Sequence, residues 1–157
     1  MTAATVEKGF HGIPQAAAVM AYAGALPLIV SALLVVVRPE TYGVQAQAFM
    51  IAYGGMLIVF FGGVRWGVAV MRPAGPTFAS LLGGVLPLLA ALPIFLIGGE
   101  KWKFAFIIAA LPVLLFDDLK ATRRGSGAPD WYLGVRAPLT ILMEFSFLVA
   151  FAALMQV

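Results

Sequence analysis

Five long apolar segments, each about as long as a bilayer is thick, constrain what this chain can fold into. A helix needs about 20 mostly apolar residues to cross the hydrocarbon core of a membrane. Breaks rich in proline, glycine or charge separate the segments, so each one is predicted to form its own helix. The predicted spans are residues 14–37, 46–71, 77–97, 101–117 and 137–157.

The composition requires lipid as the solvent for most of these segments. Of the 157 residues, 62% are hydrophobic and 11% are charged, and the mean hydropathy is +1.01. Soluble domains carry about 25% charged residues, because they must cover their surface with polar side chains. We therefore predict an all-α, polytopic integral membrane bundle of five transmembrane helices that forms a single domain.

Two of the predicted spans have an alternative interpretation. The fourth, 101–117, has only about 15 apolar residues, which is short for a full crossing, so a re-entrant segment is its alternative. The first could be a cleaved signal peptide. However, Glu7 and Lys8 give no clearly basic start, and the small residues Ala16 to Ala18 precede the apolar run instead of following it. We expect a retained membrane segment.

Basic residues near the span ends predict the orientation of the chain. With five crossings, seven of the ten Lys and Arg residues lie on the side of the amino terminus and three on the other side. The seven are Lys8, Arg65, Arg72, Lys120, Arg123, Arg124 and Arg136, and the three are Arg38, Lys101 and Lys103. We expect the more basic side to face the cytoplasm and the carboxyl terminus to face the periplasm. Trp131 and Tyr132 are expected to anchor the chain at the cytoplasmic interface.

Two charged residues are predicted to lie inside the hydrocarbon layer. Arg65 is seven residues from Arg72, and Glu144 is eight residues from Arg136, which places them about 10 and 12 Å from one interface. Because opposite charges at similar depth can neutralise each other, we predict that spans two and five touch through an Arg65–Glu144 pair. Thr140 shares the helical face of Glu144. Three interpretations stay open: a pair that fixes helix register, a route for protons or ions, and an Arg65 that reaches the interface beside a protonated Glu144.

Small residues in the second span predict close helix packing. Gly55 and Gly62 are seven residues apart, and Gly63 and Gly67 form a GxxxG pattern. Such residues allow two helix backbones to approach each other in lipid. Trp66 is expected to cover the packed surface. The two interpretations are packing inside the bundle and a docking face for another protein.

The sequence offers little catalytic chemistry. It has no cysteine and one histidine, His11, which excludes disulfides, thiolate nucleophiles and zinc sites built from several His or Cys ligands. Asp117 and Asp118 could hold magnesium and a diphosphate, but such a site needs further acidic ligands. Contacts with the basic residues Lys120, Arg123 and Arg124 are the simpler explanation. We expect no cofactor, no metal and no enzymatic activity.

The basic residues also bear on the partners of the chain. They lie in short loops and form no stripe, so nucleic acid is not an expected partner. Near the membrane surface, each of them attracts anionic lipid headgroups. Membrane lipids and other integral membrane proteins are therefore the expected partners.

Three stretches of the sequence carry a family resemblance: GIPQAAAVMAYAGALPLIV, FFGGVRWGVAV and PDWYLGVRAPLTILMEF. In this order they resemble an uncharacterised family of small five-span membrane proteins that includes the animal mitochondrial transmembrane protein sixty-nine. The resemblance covers about residues 12 to 150, and its most specific parts are the motifs Gly62–Gly67 and Trp131–Thr140. Members occur in bacteria and mitochondria, which implies a bacterial inner membrane here. The resemblance carries over no catalytic residue and no cofactor.

Two classes of function are compatible with these features. The first is a non-catalytic accessory, assembly or scaffold subunit that docks to a larger energy-transducing membrane complex. It is favoured because smooth apolar helices and short loops leave only one plausible buried polar centre. The alternative is a transporter of small solutes, ions or protons that uses the Arg65–Glu144 pair. An enzyme acting on lipid or quinone comes third.

Overall fold

The computed structural model of the protein describes residues 12–156. Within this range the chain forms five α-helices, and a short π-helical turn, Pro39–Gly43, joins the first two. The helices are α1 (Gln15–Val37), α2 (Val44–Val70), α3 (Phe78–Leu96), α4 (Glu100–Arg123) and α5 (Tyr132–Leu154). The all-α prediction is confirmed. The predictions on a signal peptide, on orientation and on zinc sites use Glu7, Lys8 and His11. These three residues lie outside the described range.

Local sequence explains where the third and fourth helices begin. At the start of α3, the Ser80 backbone N–H donates to Thr77 Oγ1 at 3.2 Å, and the Thr77 N–H donates to Ser80 Oγ at 3.0 Å. This reciprocal capping satisfies two donors that a helix start otherwise leaves unpaired. Before α4, Gly99 has a φ of +97°, a conformation that favours glycine. The chain therefore reverses between α3 and α4 within a few residues.

Within residues 12–156, four helical segments are long and apolar enough to cross a membrane. They are Gln15–Val37, Pro39–Val70, Phe78–Leu96 and Tyr132–Leu154. The chain is therefore a polytopic helical membrane protein. Helix α4 has 24 residues, a length of about 36 Å. Acidic and basic residues at both of its ends shorten its uncharged stretch, so composition alone does not identify it as a span.

Helix α2 lies at the centre of the bundle and packs against α1, α3 and α4. Helix α5 packs chiefly against α1 and α4, and it also touches α2, where Arg136 lies over the Phe61 ring and where Phe147 lies against Gly54. Helices α4 and α5 run antiparallel, because the Phe104 ring lies 6.0 Å from that of Phe147 while Asp118, near the other end of α4, meets Arg136. The carboxyl ends of α2 and α4 and the amino end of α5 therefore share one end of the bundle.

Glycines allow α2 and α3 to approach most closely. A Cβ atom added to Gly62 would lie 2.7 Å from the carbonyl oxygen of Gly84, and one added to Gly84 would lie 3.0 Å from the backbone nitrogen of Trp66. Both distances are shorter than ordinary van der Waals contact, and the atoms met are backbone atoms. A Cβ added to Gly55 would lie 2.6 Å from Phe95 Cζ. Gly55 and Gly62 thus form the α2–α3 contact.

The two glycines of the GxxxG pattern, Gly63 and Gly67, have different surroundings from Gly55 and Gly62. Among residues 12–156, no heavy atom of another part of the chain lies within 4 Å of a Cβ added to Gly63 or Gly67. These two glycines therefore take no part in the packing of the described bundle. Trp66 is 43% exposed, and its backbone contributes to the contact with α3.

Candidate functional site

Four charged side chains meet where α2 and α4 end and α5 begins. They are Arg65, Asp117, Asp118 and Arg136, and we call them the arginine–aspartate cluster. Asp118 lies at its centre. Arg65 Nε donates to Asp118 Oδ1 at 2.7 Å, and Arg136 Nε donates to Asp118 Oδ2 at 3.2 Å. A single carboxylate therefore connects three helices.

Arg65 makes two further hydrogen bonds with α4. Its Nη1 donates to Asp117 Oδ2 at 3.1 Å, and its Nη2 donates to the carbonyl oxygen of Leu114 at 2.6 Å. All three guanidinium nitrogens thus have a partner on α4. The two aspartates differ in environment, since the side chain of Asp118 is 5% exposed and that of Asp117 is 61% exposed. Asp118 is the buried acceptor, and Asp117 lies at the outer edge of the cluster.

Arg136 is the most enclosed member of the cluster. Its side chain is 2% exposed, and its Cζ lies 3.4 Å from the centroid of the Phe61 ring, a cation–π contact. Its Nη1 donates to Thr140 Oγ1, and the Thr140 hydroxyl donates to the Arg136 carbonyl oxygen at 2.8 Å. Within the described range, its Nη2 has no hydrogen-bond partner. The buried guanidinium therefore keeps an unused donor group.

The predicted Arg65–Glu144 pair is wrong. The nitrogens of Arg65 are occupied by α4, whereas Glu144 is half-buried and its Oε2 has no hydrogen-bond partner among residues 12–156. The sequence predicts similar depths for the two groups along the membrane normal, but depth does not determine which helices are neighbours. Thr140, expected on the face of Glu144, bonds to Arg136, which the four-residue spacing places on that same face.

Asp117 and Asp118 also have partners other than those the sequence suggested. Their ion pairs in the described structure are with Arg65 and Arg136, not with Lys120, Arg123 or Arg124. Within that range, no group of three or more His, Cys, Asp or Glu side chains could hold a metal ion. The two arginines and two aspartates together carry no net charge. Because their ion pairs join different helices, the cluster is suited to fixing the helices relative to one another.

Tyr132 and Trp131 lie beside the cluster at the start of α5. The Tyr132 hydroxyl donates to Asp118 Oδ2 at 3.4 Å, a long and weak hydrogen bond. Trp131 is half-buried and lines a neighbouring groove. Both aromatic residues thus lie at the same end of the bundle as the four charges.

Two hollows adjoin the cluster, and Val64 and Val68 of α2 line both. The first, of about 420 Å³, is lined by both charged and apolar side chains and lies among α2, α3, α4 and the loop after α4. Arg72 Nε donates to the carbonyl oxygen of Ser126 at 2.9 Å, which ties this loop to the end of α2. The second, of about 610 Å³, is an apolar groove between α1, α2 and α5.

Comparison with known proteins shows where this arrangement belongs. The family DUF3429, described as a protein of unknown function, matches residues 13–152. The chain is similar to transmembrane protein 69 of Xenopus tropicalis, with 32% identity over 142 residues, 88% of this chain and 54% of that protein. It is also similar to transmembrane protein 69 of Mus musculus, with 29% identity over 140 residues, 87% of this chain and 55% of that protein.

The matched region is only part of each of these two relatives. The chain spans about half the length of the curated relatives that it matches. No solved structure gives a significant match. The family match covers most of the chain and both motifs that carry the sequence resemblance, so the chain belongs to the DUF3429 family of proteins of unknown function.

Proposed function

We propose that the protein is a non-catalytic accessory, assembly or scaffold subunit that docks within the membrane to other integral membrane proteins. The observation that carries this proposal is that the ion pairs of the arginine–aspartate cluster join three helices of the bundle to one another. Every guanidinium nitrogen of Arg65 is bonded to α4, and Asp118 is shared by two arginines. A centre of this kind stabilises the bundle, because its charged groups pair with one another.

The outer surface supports lateral docking. Helix α3 packs chiefly against α2, and its outer side exposes large apolar side chains. These include Phe78, Leu82, Leu86, Leu89, Leu92 and Leu96. In lipid, helices associate through close packing of such surfaces, so we assign the docking face to α3. The complex that we expect is an energy-transducing one.

The transporter hypothesis loses the contact on which it was based. It required a charge pair between Arg65 and Glu144, and Arg65 instead binds the two aspartates of α4. Glu144 by itself is one half-buried carboxylate. No described contact favours a solute or ion pathway over the docking role, so we carry only the docking role forward.

We further propose that α4 crosses the membrane, which gives five crossings. Support comes from its contacts with α5 at both ends: Phe104 stacks on Phe151, and Asp118 binds Arg136. The helix between Phe104 and Asp118 is about 21 Å long, comparable to the stretch of α5 beside it. Its acidic end is matched by ion pairs. A continuous helix packed in this way argues against a re-entrant segment.

The location that we propose is a bacterial inner membrane, with the amino terminus in the cytoplasm and the carboxyl terminus in the periplasm. The positive-inside rule supports this orientation. The end of the bundle that holds the cluster also carries six of the described basic residues. They are Arg65, Arg72, Lys120, Arg123, Arg124 and Arg136.

Single cysteines test the crossing of α4 directly, because the chain has no cysteine of its own. Lys101→Cys and Lys120→Cys lie near opposite ends of α4. In intact cells, a membrane-impermeant maleimide should label Lys101→Cys, and it should label Lys120→Cys only after the membrane is opened. Labelling of both variants from one side would contradict the fifth crossing.

The docking role is tested by extraction in a gentle detergent, followed by native mass spectrometry. We expect a larger assembly that contains an unrelated membrane protein. The double variant Leu89→Ala, Leu92→Ala on α3 should weaken this assembly. The matched double variant Leu26→Ala, Leu33→Ala changes exposed leucines of α1 and should leave it intact. Recovery of only monomers or homo-oligomers, or equal effects of the two double variants, would contradict the proposal.

A further inference from the structure

The apolar groove between α1, α2 and α5 is shaped like a binding site for a lipid-soluble molecule. Its volume of about 610 Å³ lies within the roughly 300–1,000 Å³ of known small-molecule sites. Alanine, leucine, valine, methionine and phenylalanine side chains form most of its walls. Those from α1 and α2 include Ala17, Met20, Ala21, Leu57, Phe60 and Val64.

The groove has an apolar deep end and a polar outer end. Deeper in the bundle, the Tyr53 hydroxyl donates to the carbonyl oxygen of Gly24 at 2.7 Å, which links α2 to α1 across the lining. At the outer end, Trp131, Tyr132 and Arg136 of α5 contribute to the lining. A bound molecule would therefore meet hydrocarbon along most of its length and a cation at one end.

The hydrogen bonding at this end is incomplete inside the described part of the protein. Arg65 and Arg136 share the buried carboxylate of Asp118, while Asp117 is 61% exposed and pairs only with Arg65. In the described part of the chain, Arg136 Nη2 is buried without a hydrogen-bond partner. An unpaired buried donor is costly, and a charged donor more so. An anionic oxygen acceptor would satisfy the unused N–H groups of Nη2, and hydrogen bonds between charged groups are the stronger ones.

We propose that the groove binds a fatty acid, with its hydrocarbon chain along α1, α2 and α5 and its carboxylate bound to Arg136. Arg136 lies four residues after the start of α5, about 6 Å along the helix, so the carboxylate stays close to the interface. The Tyr132 hydroxyl bond to Asp118 is long, at 3.4 Å, so Tyr132, which lines the groove together with Arg136, is only weakly held by it. This site is independent of the docking role proposed above.

The head-group part of the proposal is tested by comparing oleate with oleyl alcohol, which has the same chain and no charge. Binding is measured with the purified protein in nanodiscs of zwitterionic lipid. Wild-type protein should prefer oleate, and Arg136→Gln should weaken oleate binding by about tenfold or more while leaving oleyl alcohol unchanged. Lys120→Gln, a basic residue at the same end that is absent from the groove lining, should bind oleate like the wild type.

A second pair of variants keeps the test decisive if Arg136→Gln does not fold. Ala17 lines the groove, whereas its neighbour Ala16 is exposed and does not. Ala17→Phe should abolish oleate binding, Ala16→Phe should preserve it, and both should unfold at the wild-type temperature. Equal affinity of the wild type for oleate and oleyl alcohol, preference for a neutral quinone, or equal binding by the two phenylalanine variants would overturn the proposal.

Discussion

Replacing Asp118 by asparagine should destabilise the protein far more than the same change at Asp117. The two residues are neighbours in sequence and both contact Arg65, so the pair of variants is matched in chemistry and position. Asp118 accepts from Arg65, Arg136 and Tyr132, whereas Asp117 accepts from Arg65 alone. The difference between the two variants therefore measures the shared buried carboxylate.

The expected magnitudes follow from burial. Asp118 is 5% exposed and binds an arginine that is 2% exposed. Removing one partner of a buried ion pair costs about 3–5 kcal/mol, and the asparagine carbonyl still accepts one hydrogen bond, so we expect about 3 kcal/mol for Asp118→Asn. The Asp117 side chain is 61% exposed, and exposed ion pairs contribute about 0–1 kcal/mol. Asp117→Asn should therefore cost less than about 1 kcal/mol.

The assay is equilibrium unfolding in mixed micelles, with the fraction of sodium dodecyl sulfate as the denaturant and tryptophan fluorescence and circular dichroism as probes. Coincident transitions by the two probes are the control for two-state behaviour. The reasoning would be refuted by a loss for Asp117→Asn that equals or exceeds the loss for Asp118→Asn.

Two further predictions concern helix packing. Gly62→Ala should cost about 1–3 kcal/mol of stability, because its Cβ would meet the backbone oxygen of Gly84 at 2.7 Å. Gly63→Ala should be neutral or stabilising, because no heavy atom from another described segment lies within 4 Å of its Cβ. The unfolding assay above compares the two variants, and equal losses would contradict the assigned α2–α3 contact. Tyr53→Phe removes the hydroxyl that bonds to Gly24 at 2.7 Å and should cost about 0.5–1.5 kcal/mol; an unchanged stability would mean that this hydrogen bond contributes nothing.

The helices were predictable because lipid requires long apolar runs and the breaks between them are strong. Each predicted span corresponds to one helix within residues 12–156. Helix α4 extends from Glu100 to Arg123, beyond the predicted span of 101–117. The acidic pair Asp117–Asp118 indicated the end of a membrane segment. In the structure that acidic pair forms ion pairs with the arginines of two neighbouring helices, and α4 continues past it to Arg123.

The partners inside the bundle were less predictable for a geometric reason. The sequence gives the depth of Arg65 along the membrane normal, but the lateral order of the helices determines which acid it meets. Apolar residues surround most of each helix, so they do not show which side faces inward. For the same reason the sequence could not separate Gly62, which contacts α3, from Gly63, which contacts no other described segment.

Some signals for the observed cluster were present in the sequence. Asp118 and Arg136 both lie near the predicted cytoplasmic interface, at the ends of two consecutive spans joined by one loop. Consecutive antiparallel helices are usually neighbours, so a contact between them could have been proposed. No sequence pattern indicated that Arg136 keeps an unused donor, because this depends on where Phe61, Thr140 and Asp118 lie in space.

The most direct test of the central claim, that Asp118 holds Arg65, is a pair of double-mutant cycles measured by equilibrium unfolding. One cycle combines Arg65→Gln with Asp118→Asn, and the other combines Arg65→Gln with Glu144→Gln. The structure predicts a coupling energy of about 1–3 kcal/mol in the first cycle and additivity within about 0.5 kcal/mol in the second. Additive losses in the first cycle together with coupling in the second would contradict it.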